Sequence, residues 1–357
     1  MKFIREIEAI SDKKRSFMSL RKNTAILFLS LLGCVSAHAE KAVLFPFSQS
    51  DEPDLSKLGN GKVHGNRLKT GGSQLSMGVE TYFLVPLPPE NTLKKLKTIT
   101  PPSSGATNSF GIQNKARIQN PARTSDFSRF RLTGSNGQFG FGGSDMLNLK
   151  TRHLNLSHTE MAQLKKAKSG GTSRLEAAWK QVFAARAQDF QNGGYQSFAR
   201  YDTTAKPFHH RAELVTLLLS TPKVLKNFQA LIGGVMTGKL PEGAHTPVYS
   251  WESSKVQGEQ TISLMCLISS PHENGRIQIV ETSFYVTGNY FTSMILYELT
   301  PVYDDQTGKE QTLVWRGDFV ITESIGFLRG IERIAAENIM MLEVVSSVEG
   351  FVKSVSK

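Results

Sequence analysis

The chain has 357 residues, with 42 Lys and Arg against 31 Asp and Glu, for a formal net charge of +11. That length supports one large domain or two ordinary ones with a sizeable buried core. It carries only two cysteines, Cys34 and Cys266, which excludes a scaffold stapled by several disulfides, so stability must come from packing.

At the N-terminus, Met18 opens a short basic head (Arg21, Lys22), followed by an apolar run from Thr24 to Val35 and by Ala37-His38-Ala39. Small residues at Ala37 and Ala39 are the pattern a signal peptidase reads. The run falls short of the ~20 residues that span a bilayer, so residues 1–39 read as a signal peptide, with Met18 as a second candidate start. Leu31-Leu32-Gly33-Cys34 also resembles a lipobox, which would leave a lipoprotein anchored at Cys34. Both readings predict an exported protein, periplasmic or extracellular, with no transmembrane helix in the mature chain.

Residues 40–75 are rich in Gly, Ser, Asn and Lys and read as a flexible lead-in. A single α+β domain is expected over 76–357, with a loop-rich insert at about 98–172. Its first pieces are a strand from Gly78 to Pro86 and a short helix from Pro88 to Leu96. A loop at 100–124 follows, then a strand from Phe127 to Leu132 and a flexible glycine run at 134–143. Residues 91–131 hold eight bases and the single acid Asp126, whereas 241–357 hold fifteen acids against eight bases. The basic stretch is therefore a candidate contact for an anionic envelope surface. It lacks the interleaved aromatics of a nucleic-acid stacking surface, and nucleic acid is not expected as a partner.

The second half is more regular. Ser173-Arg174-Leu175-Glu176 reads as a helix start, with Leu175, Trp179, Val182, Phe183 and Phe190 on one face and Gly193-Gly194 as the stop. Helices are also expected at about 212–219 and from Thr221-Pro222 to Gly233-Gly234. From Pro247 the period switches to alternation, which places strands near 247–254, 260–269, 276–286, 290–301 and 311–321. The joints Asn274-Gly275 and Thr287-Gly288-Asn289 suit tight turns, and joints this short require an antiparallel meander. A long helix from about Ser324 to Val352 closes the chain. Phe327, Ile331, Ile334, Asn338, Met341, Val345, Val348 and Val352 form one stripe, expected to lie on the sheet. The fold class is thus α+β: an antiparallel meander packed against a long C-terminal helix, with additional helices before the sheet.

The chemistry-bearing motifs are sparse. Gly233 to Leu240 approaches a phosphate-binding loop but has Leu240 where a hydroxyl is required and follows a helix. His209, His210 and Glu213 are weak metal candidates, with His209 and Glu213 four apart on a helix and no further ligand nearby. No pattern calls for a cofactor, and none nominates catalytic residues. Cys266 sits in an apolar run, where a thiol is inert. Asn338 is the one polar member of the terminal stripe. Arg316 and Asp318 share a strand face with Val314 and Val320, and Glu298 would meet Arg316 in the right register. Trp251, Tyr290, Tyr297 and Trp315 make the sheet aromatic, which suits either a packed core or contact with sugar or lipid.

The order of elements resembles the helix-grip (START-type) architecture, in which a curved antiparallel sheet wraps a C-terminal helix around a cavity. The residues Trp179, Ala185-Arg186, Phe190, Gly193-Gly194 and Tyr201, then Val248 to Glu252, Ser283-Phe284-Tyr285, Tyr290 to Ser293 and Gly326 to Glu332, resemble an uncharacterised family of exported bacterial proteins. That resemblance spans about residues 76–357 and supplies no catalytic residues. The expectation is a non-enzymatic exported protein that holds a hydrophobic small molecule or lipid between sheet and helix, with Asn338, Arg316, Trp315, Tyr297 and Trp251 as binding residues. A metal-dependent envelope hydrolase and a structural or interaction protein of the envelope are the alternatives.

Overall fold

A computed structural model describes residues 45–50, 58, 61–71, 73–98, 114–133, 143–150, 154–204, 206–256, 259–304 and 307–356. The expected signal segment at 1–39 with Cys34, most of the loop at 100–124 and the glycine run at 134–142 lie outside the described residues.

An eight-stranded antiparallel sheet runs in the order β1-β2-β8-β7-β6-β5-β4-β3. Its strands are β1 (Val63–Leu68), β2 (Ser76–Val85), β3 (Asn114–Ile118), β4 (Val248–Val256), β5 (Glu259–Pro271), β6 (Ile277–Val286), β7 (Thr292–Tyr303) and β8 (Glu310–Ile321). Strands β4 to β8 form the expected meander. Its turns use Asn274 at φ 58° with Gly275 at φ 71°, and Asn289 at φ 70°, the left-handed conformations that Asn and Gly tolerate.

Helix α1 (Pro89–Thr98) and the terminal helix α8 (Gly330–Val355) cover one face of the sheet, over the smaller of two cores. The opposite face is covered by α2 (Gly143–Asn148), α3 (His158–Lys168), α4 (Thr172–Gly193), α5 (His210–Leu219), α6 (Pro222–Asn227) and α7 (Gln229–Thr237). The main core lies there, where Trp179, Phe183, Phe190, Leu231, Trp251, Phe284, Tyr285 and Trp315 are buried together. A bulge in β6 opposite Leu264 and Met265 turns both Phe284 and Tyr285 to this side, which one extra residue in a strand achieves.

Several expectations are corrected. The lead-in at 40–75 contains edge strand β1, and Phe45 and Phe47 are buried in the main core. Strand β1 escapes the hydrophobic pattern because edge pairing needs only main-chain groups. Strand β3 lies in the expected loop for the same reason. Phe127 to Leu132 is not a strand: a 3₁₀ turn at Thr124–Phe127 opens it, and Phe127, Phe130 and Leu132 all enter the core. Helix α3 sits in the loop-rich insert and starts at a capping box, Ser157 with Glu160. The helix begun at Pro222 breaks at Phe228 and continues past Gly233-Gly234 to Thr237.

The terminal helix starts at Gly330, after a 3₁₀ turn at Glu323–Ile325. It is seated only from Met340 onward, through Met340, Val344, Val348 and Val352. Gly65 in β1 permits that approach: a Cβ there would lie 2.6 Å from the Val345 side chain. In the first half and just before it, Phe327, Ile331, Ile334, Ile339 and Leu342 are exposed. That half is held by polar contacts, with Arg333 donating to the Gln74 carbonyl at 2.9 Å and Arg67 paired to Glu337 at 3.5 Å. The helix lies over β1 and β2 at one end of the sheet, which leaves the centre of this face to form a groove.

Candidate functional site

Alternation along the strands decides which side chains reach that groove. On β8 Arg316, Asp318 and Val320 face it, on β7 Ser293, Ile295 and Tyr297, on β6 Glu281 and Ser283, and on β4 Glu252 and Ser254. The terminal helix closes one flank with Met340, Val344, Ser347 and Phe351, and Lys115 of edge strand β3 stands on the other. The groove has a volume of about 270 Å³, near the lower end of the range for small-molecule sites.

The groove is apolar on the helix flank and charged along its floor. Arg316 and Asp318 neutralise one another through two bonds, Nε to Oδ2 at 2.8 Å and Nη2 to Oδ1 at 2.6 Å. The Arg316 guanidinium also lies over the Tyr297 ring, 5.4 Å from its centroid, a favourable cation–π placement. The Tyr297 hydroxyl donates to Glu281 Oε2 at 3.5 Å, and burial pushes its ionisation well above the ordinary phenol range.

Glu252 differs from these groups. It is 9 % exposed, and its carboxylate makes no hydrogen bond or ion pair among the described residues. Burial pushes its pKa up to about 7, against the pull of Lys115 and with a further push from Glu281, since a low-dielectric surrounding disfavours the charged form. Lys115 is its register partner across β3 and β4. Tyr290 is close by, with its hydroxyl 3.0 Å from Ser263, the β5 partner of Glu252.

The residues nominated from sequence divide between the two faces. Arg316 and Tyr297 lie in the groove. Trp315 and Trp251 point the other way into the main core, donating to Glu80 Oε2 at 3.1 Å and to the Asp126 carbonyl at 3.0 Å. Asn338 is exposed, because the seated stripe recurs every fourth residue from Met340 and so leaves position 338 outside. Glu298 opposes Trp315, not Arg316. It is buried on the main-core face, where Arg276, Asn227 and Gln278 donate to it at 2.9, 2.7 and 3.1 Å. Such a fully satisfied carboxylate serves the fold.

His209, His210 and Glu213 do not converge. His210 is buried with both ring nitrogens unpartnered, packed between Tyr201, Phe198 and Phe208 at 4.1, 4.9 and 4.9 Å. His209 is exposed, while Glu213 accepts from Ser73 at 3.2 Å. Among the described residues no group of three or more His, Cys, Asp or Glu is placed to hold a metal ion. Cys266 is a free, fully buried thiol that burial pushes above its ordinary range. Of the basic stretch, Arg117, Arg123 and Arg129 are exposed at and beyond edge strand β3, while α1 packs near β7 and β8. Among the described residues no helix is long and apolar enough to cross a membrane.

Glu252 and Glu281 escape the sequence reading. Their signal is present in the chain, since both occupy strand positions of the same parity as Val248 and Ile279, which belong to the smaller core. Comparison with protein-family models, with curated proteins and with solved structures returns no match.

Proposed function

We propose that this is an exported, non-enzymatic binding protein whose groove between sheet and terminal helix holds a small amphipathic molecule. The observation that carries this reading is the groove itself. Met265, Ile295, Met340, Val344 and Phe351 offer an apolar wall, and a nine-tenths-buried carboxylate without a partner among the described residues stands on the same surface. Burying such a group is costly unless something pairs with it, and a ligand would supply that partner. An apolar pocket with a few convergent polar groups is the usual form of a small-molecule site. Export rests on the signal read at residues 18–39, with the periplasm or the exterior as its destination and lipidation at Cys34 as the alternative.

The test is mass spectrometry of natively purified protein for co-purifying lipid, together with uptake of a fluorescent hydrophobic probe. Ser347→Trp, which fills the groove from the helix flank, should abolish uptake while the circular dichroism spectrum stays unchanged. A protein that carries no lipid and takes up no probe overturns the reading. The N-terminal mass of secreted material distinguishes cleavage after Ala39 from a lipidated Cys34.

A further inference from the structure

The sign of the charge in the groove narrows the ligand class, an inference that rests on the reading above. An anionic head group would need a cation clear of competing carboxylates. Lys115 makes no salt bridge among the described residues, but it stands on edge strand β3 as the register partner of Glu252, so an anion there would face that carboxylate. Arg316 is engaged by Asp318 through Nε and Nη2, with both bonds under 2.9 Å, and one face of its guanidinium lies over the Tyr297 ring. With that pair cancelled, the charged groups lining the groove are Glu252, Glu281 and Lys115, an excess of one negative charge. Lys115 forms no salt bridge with Glu252, their groups lying beyond 4.0 Å of each other. Glu252 therefore keeps its acceptor capacity, and it does so beside Tyr290 and next to Ser254 and Ser263, which are buried. A carboxylate with an aromatic neighbour at the end of an apolar channel fits an ammonium or guanidinium, through charge-assisted hydrogen bonds and contact with a ring face.

We infer that the groove selects amphiphiles with a cationic head, of the alkylamine or alkylguanidine class, whose head pairs with Glu252 and whose tail lies along Ile295, Met340 and Val344. Glu281 adds to the attractive field and Lys115 opposes it. The volume of about 270 Å³ suits a chain of roughly eight to ten carbons, short of a full drug-sized pocket. The ionisable groups that line the groove with Glu252 share in its proton balance: Lys115 on β3, Glu281 on β6, Tyr290 before β7, Tyr297 on β7, and the neutralised Arg316 and Asp318 on β8. Proton uptake by Glu252 as the pH falls through neutrality removes the partner charge, so the preference for a cationic head weakens in the same range.

The experiment is calorimetric or probe-displacement titration of the delipidated full chain with octylamine, octanol and octanoate at pH 8.0 and pH 5.5. Octylamine should bind at least tenfold more tightly than octanoate at pH 8.0, with octanol between them, and the margin should shrink at pH 5.5. Glu252→Gln should reduce octylamine affinity at least fivefold and leave octanol within twofold. Glu281→Gln is the second variant and should have a smaller effect in the same direction. Equal binding of all three probes, or preference for octanoate, overturns the cationic assignment and leaves the groove as a binding site. Failure of every probe to bind overturns the binding reading itself. Because the ranking of probes is measured on the unaltered protein, the outcome does not depend on a variant folding.

Discussion

Glu252 ties the site to the stability of the fold, and its removal gives a quantitative test. In the unfolded chain its carboxyl titrates near 4.5, and in the folded protein at about 7. Between those values the folded state holds a proton that the unfolded state has released, so stability declines as pH rises through this window and is lowest above it. At about 1.36 kcal/mol per pH unit of displacement, the penalty at pH 8 is on the order of 3 kcal/mol. A glutamine side chain at this position has nearly the same shape and no charge to desolvate. Glu252→Gln is therefore expected to match the parent at pH 4 and to exceed it by about 2–4 kcal/mol at pH 8. For a chain of this size that gain is a rise of roughly 5 °C in melting temperature. Urea titrations of ligand-free protein from pH 4 to pH 8 measure it, read against the same series on the parent. A difference between the two proteins that stays constant over that range, or a variant that is less stable at pH 8, refutes the account of an unpaired, desolvated carboxylate. Addition of octylamine should narrow the gap, because a bound cation stabilises the charged parent and not the variant.

Three further outcomes are expected. Val348→Ala in the seated half of α8 should cost about 1–3 kcal/mol in urea unfolding, as buried methyl groups are lost, whereas Ile331→Ala in the exposed half should change stability by less than about 0.5 kcal/mol; equal costs would show that the helix is seated along its whole length. Glu160→Ala should destabilise by about 3–5 kcal/mol, since it leaves Arg186 buried and uncompensated under Phe198, Tyr201 and Tyr285. A cost below about 1 kcal/mol would count against that pair as a structural tie between α3 and α4. His210 is held well below its ordinary pKa, first by burial and then by Arg186 and His209. The unfolded chain therefore takes up a proton near pH 6.5 that the folded chain refuses, and stability declines as pH falls below that value. His210→Phe should lose less stability than the parent between pH 7 and pH 5, and parallel curves for the two proteins would refute this.

The legibility of the fold follows the strength of local patterns. Strands β4 to β8 are readable in sequence because both of their faces are buried by different layers and their turns carry Asn and Gly where positive φ is required. Helix α4 is readable because one wide face meets the main core. Strands β1 and β3 are not: as edge strands they are held by main-chain pairing, and sequences such as Val-His-Gly-Asn-Arg-Leu hold few buried side chains. Helix α3 escapes the hydrophobic pattern, although its capping box at Ser157 and Glu160 is a sequence signal.

For the site, parity along a strand is available from sequence, but which parity faces which layer is not. Trp251 and Trp315 have the size and aromatic character of ligand contacts, and only the assembled sheet turns them into the main core and away from the groove. The N-terminal half of α8 likewise carries a continuous apolar stripe, yet tertiary geometry seats only the turns from Met340 onward against β1 and β2.

Local chemistry by itself determined that this chain makes an antiparallel meander followed by a long amphipathic helix, because alternation, tight-turn residues and helical periodicity act between near neighbours. The tertiary structure alone decided that Arg316 is neutralised by Asp318 while Glu252 stands without a partner among the described residues. Those fates depend on register and on which layer covers each face, contacts made between residues far apart in the chain.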